Sequence, residues 1–332
     1  MSTSIAVVVI GRNEGERLKR CLASVQAQVA RIVYVDSGSS DDSVAHARSL
    51  GIEVVELDTS VPFTAARGRN AGFMALHSSG QMPDFVQFID GDCLLAPNWI
   101  SAALAHVSDR PELGIVTGWR SEIDRNRSVY NAMCDFEWHR PAGPIEACGG
   151  DMMVRAPAFH ALKGFNPQVI AAEDDEFCAR LRKSGLRIER LPLSMTRHDA
   201  AMTRFSEWWR RSVRSGHGFG QVGDLHPDHF RPERRRVWLY GLILPLVFLT
   251  GLTLTLLGKV LAGTVLMVAV LAGYKLSWLR TVQGLVRSGL PLREAMHHGL
   301  YLSLSKFPNL IGMLTYLARR WQRRDMNIIE YK

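Results

Sequence analysis

Apolar residues fall along this chain in short β-branched runs separated by stretches that are apolar on one helical face only. The run Ile5–Ile10 (IAVVVI) is apolar at every position, which predicts a strand covered on both sides. After Gly11-Arg12-Asn13-Glu14-Gly15, the positions Leu18, Cys21, Leu22 and Val25 predict one buried face of a helix. Arg31–Val35 reads as a second strand, ending in Asp36-Ser37-Gly38-Ser39-Ser40-Asp41-Asp42. Ser40 or Asp41 is placed to cap the next helix, whose apolar face carries Val44, Ala47 and Leu50. Gly51 stops that helix, and Ile52–Leu57 makes a third strand. Phe85, Val86, Phe88 and Ile89 predict a further buried strand, and Ile188–Leu193 another. Strands and helices alternating at this spacing predict an α/β fold with a Rossmann-like, mostly parallel sheet. Ligands in such sheets sit beyond the carboxyl ends of the strands. Glu14, Asp36 and Asp90-Gly91-Asp92 all fall at those ends and are expected to share one rim.

The pattern changes after residue 230. Arg231, Arg234, Arg235 and Arg236 precede Val237–Leu257, which carries no charge and is long enough for a hydrocarbon core of ~30 Å. Val260–Leu279 follows with Lys275 near its end, where the ammonium can snorkel to headgroups. Trp238, Tyr240, Tyr274 and Trp278 place aromatic residues at one common interface. Met296–Leu317 contains Lys306 and Pro308, and its stripe Leu300, Leu304, Phe307, Ile311 and Leu314 predicts an interfacial helix over about 296–318. The expected organisation is therefore a catalytic domain, 1–230, and a helical membrane region, 231–332, with spans at about 237–257 and 260–279. Arg319, Arg320, Arg323 and Arg324 at the tail and the cluster before the first span both favour the cytoplasmic side, so the number of crossings should be even.

Charge sharpens this picture. The net +8 is −3 over residues 1–230, with 25 Lys+Arg against 28 Asp+Glu, and +11 over residues 231–332, with 15 against 4. Basic charge beside long apolar runs points to an anionic membrane surface and away from nucleic acid. The five cysteines show no C-x-x-C spacing, which suits a reduced, cytosolic environment rather than a disulfide framework or zinc site. Ile5–Ile10 is too short for a signal-peptide core. The expected location is the inner cell membrane, multi-pass, with the catalytic domain in the cytoplasm.

The candidate chemistry gathers on the rim. Two carboxylates bracketing a glycine just past a buried strand need a partner, and Mg²⁺ or Mn²⁺ held by Asp90 and Asp92 is the natural one. No G-x-G-x-x-G or G-x-x-x-x-G-K-[ST] is present, so phosphate would be held by metal and side chains, with Arg67 and Arg69 suited to a diphosphate. Glu173-Asp174-Asp175-Glu176 packs four acids at a helix start; repulsion and burial should raise the pKa of at least one, as a general base requires. Phe205–Arg214 interleaves aromatics and arginines on an amphipathic helix.

The order strand-GRNE, strand-DSGSSDD, RNAG, strand-DGD resembles the family 2 glycosyltransferases, whose nucleotide-sugar-binding fold is called GT-A. Gly149–Arg155 resembles that family's acceptor-side strand, and Gly164-Phe165-Asn166 with Glu173–Leu181 its GGF…ED-x-[DE]-L-x-x-R helix, although Glu176 stands where many relatives carry Asp. The resemblance implies that Asp36 binds the nucleobase, Asp90 the ribose or metal region, and Asp92 the metal that bridges the diphosphate. It makes Asp174 the catalytic base and counts Asn13, Glu14, Arg67, Arg69 and Glu173 among the substrate-binding residues. Arg211 and Arg214 fall in a segment that resembles one closing over donor phosphates or meeting the membrane in that family, and some of its GT-A enzymes use a His at the place of His198 as an additional metal or diphosphate contact. The function implied is a metal-dependent, inverting transfer from a nucleotide-diphosphate sugar to a lipid-linked glycan in surface-polysaccharide synthesis. The alternatives are a polyprenyl-phosphate sugar synthase and a non-catalytic, nucleotide-sugar-binding membrane scaffold.

Overall fold

The computed structural model describes residues 3–78 and 80–329. The chain divides into two compact units, Met1–Ala201 and Met202–Lys332. A boundary near residue 230 is the sequence expectation; the helix Phe205–Leu225 instead groups with the C-terminal helices.

The first unit is built on one mixed sheet. Its strands are β1 (Ile5–Gly11), β2 (Ile32–Asp36), β3 (Glu53–Glu56), β4 (Phe85–Asp90), β5 (Cys93–Leu95), β6 (Leu113–Glu122), β7 (Gly143–Ile145), β8 (Met152–Arg155) and β9 (Arg187–His198). Their order is β3-β2-β1-β4-β8-β6-β9-β5, with β7 paired to β9. The first four are parallel neighbours, β8 runs antiparallel between β4 and β6, and β6 is parallel to β9. The helices are α1 (Glu16–Gln26), α2 (Ser43–Ser49), α3 (Ala65–Ser78), α4 (Trp99–Val107), α5 (Val129–Trp138), α6 (Ala156–Ala161) and α7 (Glu173–Lys183).

The β1 run is apolar throughout because both sides of the sheet are covered. Val7 and Val9 enter a core with Leu18, Leu22 and Val25 of α1 and Trp99 of α4. Ala6 and Val8 point the other way, to Phe73 and Leu76 of α3, Phe159 of α6 and Phe177 of α7. Within that second core the rings of Phe159, Phe165 and Phe177 stand 5.1–5.2 Å apart, which ties α7 to the sheet. One expectation shifts at α2: the helix ends at Ser49, leaving Leu50 exposed while Ala47 is buried. Its N-cap position is Asp42 with no side-chain cap, and Asp41 instead accepts the N–H groups of Gly15 and Ser43, joining two loops.

Register fixes the rim. Gly11 is level with Asp36, and Ile10 with Asp90. Along β6–β9 the register slips between Thr117 and Trp119 and again before Arg120, opposite the segment of β9 that contains Pro192. Proline inside a strand is tolerated at such irregularities, and bulges re-aim the side chains beside them.

The second unit is helical: α8 (Phe205–Leu225), α9 (Arg231–Arg236), a π-helical stretch (Val237–Ile243), α10 (Leu244–Leu256), α11 (Val260–Arg287), α12 (Leu292–Leu304) and α13 (Lys306–Trp321). Helices α10 and α11 pair across the turn at Gly258-Lys259, and Tyr274 donates to the carbonyl of Tyr240 at 2.5 Å. Arg231–Leu256 and Val260–Arg287 are both long and apolar enough to cross a membrane. The single helix expected over 296–318 is two helices, because Pro308 cannot donate within a continuous helix and sits in the first turn of α13.

Candidate active site

The rim begins at Asp36, the last residue of β2. It is buried and accepts the Tyr34 hydroxyl at 2.8 Å, the N–H groups of Gly38 and Ser39 at 2.9 and 2.7 Å, and the Ser39 hydroxyl at 2.5 Å. Asn13, with a left-handed φ of 55°, accepts the Ser40 N–H at 2.7 Å and donates its own N–H to Ser39. These bonds lock the loop after β1 to the loop after β2. Glu14 pairs with Arg17 at 2.7 Å. Arg67 does not reach the acidic cluster: its guanidinium donates to the carbonyls of Asp58 and Val61, both at 2.8 Å, and shapes that loop.

Asp90 ends β4 between two arginines. Arg69 of α3 donates to Asp90 Oδ1 at 2.7 Å and Arg120 of β6 meets Oδ2 at 3.1 Å. Burial alone would push the Asp90 carboxyl up, but the two guanidinium groups outweigh it and hold it below the usual carboxylate range. Arg69 reaches on to Glu173 Oε1 at 2.8 Å, joining β4 to the first turn of α7. Arg120 donates to Asp151 at 2.9 Å and stacks 5.2 Å from the Trp138 ring centroid. Asp151 also accepts the Asp90 N–H at 3.1 Å and the Thr196 hydroxyl at 2.8 Å. A Cβ at Gly150 would lie 2.0 Å from the Arg69 guanidinium, so any side chain there would push that group off its two carboxylates.

Asp92 faces a different partner. Strand β5 pairs with β9 so that Cys93 is level with His198, and Asp92 Oδ1 lies 3.3 Å from His198 Nε2. Asp92, Cys93 and His198 are all buried, their ligand atoms lie within 4.8 Å of one another, and His198 Nδ1 has no hydrogen-bond partner. Carboxylate and imidazole with an adjacent thiol form a donor set that fits a divalent cation, and imidazole suits Mn²⁺ better than Mg²⁺. Behind His198, Glu122 of β6 accepts the Ala200 N–H at 3.0 Å and holds the chain as it leaves the strand.

The four acids that open α7 are not equivalent. Glu173 is paired with Arg69, and Glu176 with Arg180 at 2.8 Å. Asp174 Oδ1 accepts the Asp175 N–H at 2.9 Å. Burial pushes the Asp174 carboxyl well above the usual range, and the neighbouring Glu173 and Asp175 carboxylates push the same way while Arg69 opposes them. A carboxylate with a raised pKa at the mouth of a rim is suited to accept a proton. Arg211 and Arg214 lie on α8, in the second unit.

Sequence reasoning assigned no role to Arg120, Asp151, Glu122 or Trp138. A signal was present for two of them. Asp151 follows two glycines, and Arg120 comes directly after the mostly apolar run Leu113–Trp119, positions where a charge must be paired.

Residues 6–156 match the model of glycosyl transferase family 2, and residues 127–204 match that described as the N-terminal domain of galactosyltransferase. The chain thus carries a family 2 glycosyltransferase domain on a GT-A-like fold. It is similar to the pre-mycofactocin glycosyltransferase of Mycobacterium tuberculosis, 26% identical over 69% of this chain and 49% of that protein. It is also similar to a TPR repeat-containing protein of Synechococcus elongatus, 29% identical over 41% of this chain and 32% of that one. The chain therefore spans about half the length of the first relative and less of the second. A mannosyltransferase from Pyrobaculum calidifontis, solved with GDP-Man and Mn²⁺, shares the fold with a TM-score of 0.54 and 17% identity, covering 97% of this chain and 87% of that one. Residues 1–349 of S. aureus TarS align with a TM-score of 0.52 and 16% identity, over 97% and 92% of the two chains.

Proposed function

We propose that this protein is a membrane-anchored, metal-dependent, inverting glycosyltransferase. It moves a sugar from a nucleotide-diphosphate donor to a lipid-linked glycan at the cytoplasmic face of the inner membrane, in surface-polysaccharide synthesis. The observation that carries the chemistry is the division of labour among the rim carboxylates. Asp90 is neutralised by two arginines, Asp92 is turned to the His198 imidazole at 3.3 Å, and Asp174 has a raised pKa. Those are an organiser, a cation site and a base.

Asp36 and the loop it braces would receive the nucleobase, with Asn13 and Glu14 beside it. Asp92 and His198 would hold Mg²⁺ or Mn²⁺, which supplies electrostatic neutralisation of the departing diphosphate. Asp174 takes the proton from the acceptor hydroxyl as its oxygen attacks the anomeric carbon opposite the leaving diphosphate. In-line attack inverts that centre. Arg69 and Glu173 set the position of the turn that carries Asp174.

The anchor reading rests on α10 and α11, whose leucines face outward: Leu256, Leu257 and Leu261 are 71–81% exposed. Leucines lining two long helices are expected to be covered, and lipid does so. The membrane hairpin in turn favours a lipid-linked acceptor. The test is a screen of nucleotide-sugars, GDP-mannose and UDP-sugars first, against membranes carrying the protein, read by mass spectrometry of products with and without Mn²⁺. Metal-dependent transfer to a lipid-extractable glycan is the expected result. Transfer only to a soluble acceptor, pre-mycofactocin included, would overturn the lipid-linked assignment.

A further inference from the structure

Helix α13 has two unlike faces. Leu310, Met313 and Tyr316 are buried against the rest of the helical unit, whereas Ile311, Leu314, Leu317 and Trp321 are exposed, Trp321 by 85%. The exposed set recurs at helical spacing and forms one apolar stripe that leads to the helix end. Four arginines, Arg319, Arg320, Arg323 and Arg324, are gathered where the stripe ends.

The chain does not simply fray there. Arg323 turns into the left-handed region with φ 52°, its N–H bonds the carbonyl of Arg320 at 3.1 Å, and the Arg324 N–H bonds that of Arg319 at 2.9 Å. This is a helix-ending motif in which glycine is the usual occupant of the left-handed position. An arginine in that place carries a backbone penalty that glycine avoids. The tail then folds back, and the Arg319 guanidinium donates to the carbonyl of Asn327 at 2.8 Å. Between helix end and tail lies a pocket of about 440 Å³ lined by Arg319, Arg323, Arg324, Asp325 and Asn327. Three arginines line it with one aspartate, and their charge outweighs both that carboxylate and the partial negative charge of the helix C-terminus. Planar guanidinium forks match a phosphate.

We propose that this pocket binds the phosphate of an anionic membrane phospholipid, with Trp321 and the Leu314–Leu317 stripe lying among the acyl chains beside it. A bilayer lipid is favoured over a free phosphate because the pocket and the apolar stripe share one helix end, so a single amphiphile satisfies both. The assignment rests on the membrane reading above and deepens it. It also accounts for the unfavourable residue at the helix end: Arg323 is kept in a glycine position because its charge is used.

The full-length chain is purified in a zwitterionic detergent, titrated with phosphatidylglycerol or phosphatidylcholine, and bound lipids are counted by native mass spectrometry. Retention of phosphatidylglycerol in preference to phosphatidylcholine is expected. Arg323→Gly should weaken that retention about five-fold while unfolding at the same or a higher temperature, so misfolding cannot explain the loss. Arg323→Gly with Arg324→Gln should weaken it roughly 30-fold, the worth of two basic residues at an anionic surface. Removing equal charge elsewhere, by Arg287→Gln with Arg293→Gln, should leave retention unchanged. Equal retention of the two lipids, or wild-type retention in the double variant, overturns the pocket. Displacement of the lipid by inorganic phosphate at equal concentration overturns the lipid as its ligand. A chain that stays monodisperse without detergent overturns the membrane reading itself, a separate result.

Discussion

Arg69 donates to Glu173 at 2.8 Å across 104 residues of sequence while its other guanidinium nitrogen holds Asp90 at 2.7 Å. The two carboxylates come from different halves of the domain, and a single buried cation fixes their separation. That makes Arg69 the joint between the strand rim and the helix that carries Asp174.

Replacing Arg69 by Met should therefore destabilise the domain by about 3–5 kcal/mol, because it strands the buried Glu173 carboxylate and leaves Asp90 to Arg120 alone. The sign of the pH dependence follows from Asp90, whose pKa is depressed in the folded state. A depressed carboxylate contributes stability that is present above its unfolded pKa and lost as pH falls through the folded one. The deficit of Arg69→Met relative to wild type should be largest near neutrality and shrink below about pH 4. Denaturant unfolding at both pH values measures it; a deficit that is constant with pH would show that Arg69 acts by packing alone.

Asp92→Ala should abolish transfer with the fold intact, and excess EDTA should do the same to the wild type. His198→Ala, which keeps the carboxylate but loses the imidazole, should weaken metal affinity by at least on the order of 10–100-fold, since that much is lost when a metal site loses only a partner that orients a ligand. Titration of Mn²⁺ by calorimetry reads this without any assay of turnover. Full activity in EDTA would remove the metal from the mechanism.

Asp174→Asn should retain donor binding and cost transfer roughly 10²–10⁴-fold. Because burial raises the pKa of this carboxyl, ionising it costs more in the folded chain than in the unfolded one. Stability is then lost as pH rises past the unfolded value of about 3.9, and the Asn variant should be more stable than wild type near neutrality. Each 1 kcal/mol regained shifts Tm by roughly 2–4 °C in a domain of this size. The acid limb of kcat/KM should also lie above the ordinary carboxylate range, since transfer needs the ionised form. An active Asp174→Asn beside an inactive Asp175→Asn would move the base one residue along.

How much of this was legible depended on distance along the chain. Strand β1, the buried face of α1 and the rim positions Asp36 and Asp90 follow from local patterns, because β-branched runs and helical spacing are short-range signals. The two-helix reading of 296–318 was also present locally, in Pro308, but the apolar stripe was read straight through it. Arg120 and Thr196 were not legible as partners of Asp151. Those contacts span 31 and 45 residues and depend on β8 running antiparallel between two other strands, which no local pattern announces. The register slips of β9 against β6 on either side of Trp119, which set what Arg120 faces, were equally hidden.

The last prediction concerns the direction in which the helical unit crosses the bilayer. Helices α10 and α11 should form a hairpin with Lys259 on the far side, and α13 and the tail should remain on the cytoplasmic side. Lys306 decides between this and a third crossing. It starts α13 rather than lying in mid-helix, and burial together with the nearby Arg236 lowers its pKa to about 8. A third span running through α12 and α13 would put that lysine, at their junction, near mid-bilayer, at roughly 2.5–3.5 kcal/mol, and would place the arginines that follow on the side basic residues avoid. The hairpin meets neither cost. Single cysteines at Lys259 and Asn327, probed with a membrane-impermeant maleimide in intact cells, test it; all five native cysteines are buried and can be replaced to remove background. Positions 330–332 lie outside the described residues, so Asn327 stands in for the end of the tail. Labelling is expected at residue 259 and, at residue 327, only after the cells are opened. Labelling of residue 327 in intact cells would require an odd number of crossings and would put the arginine pocket on the wrong face.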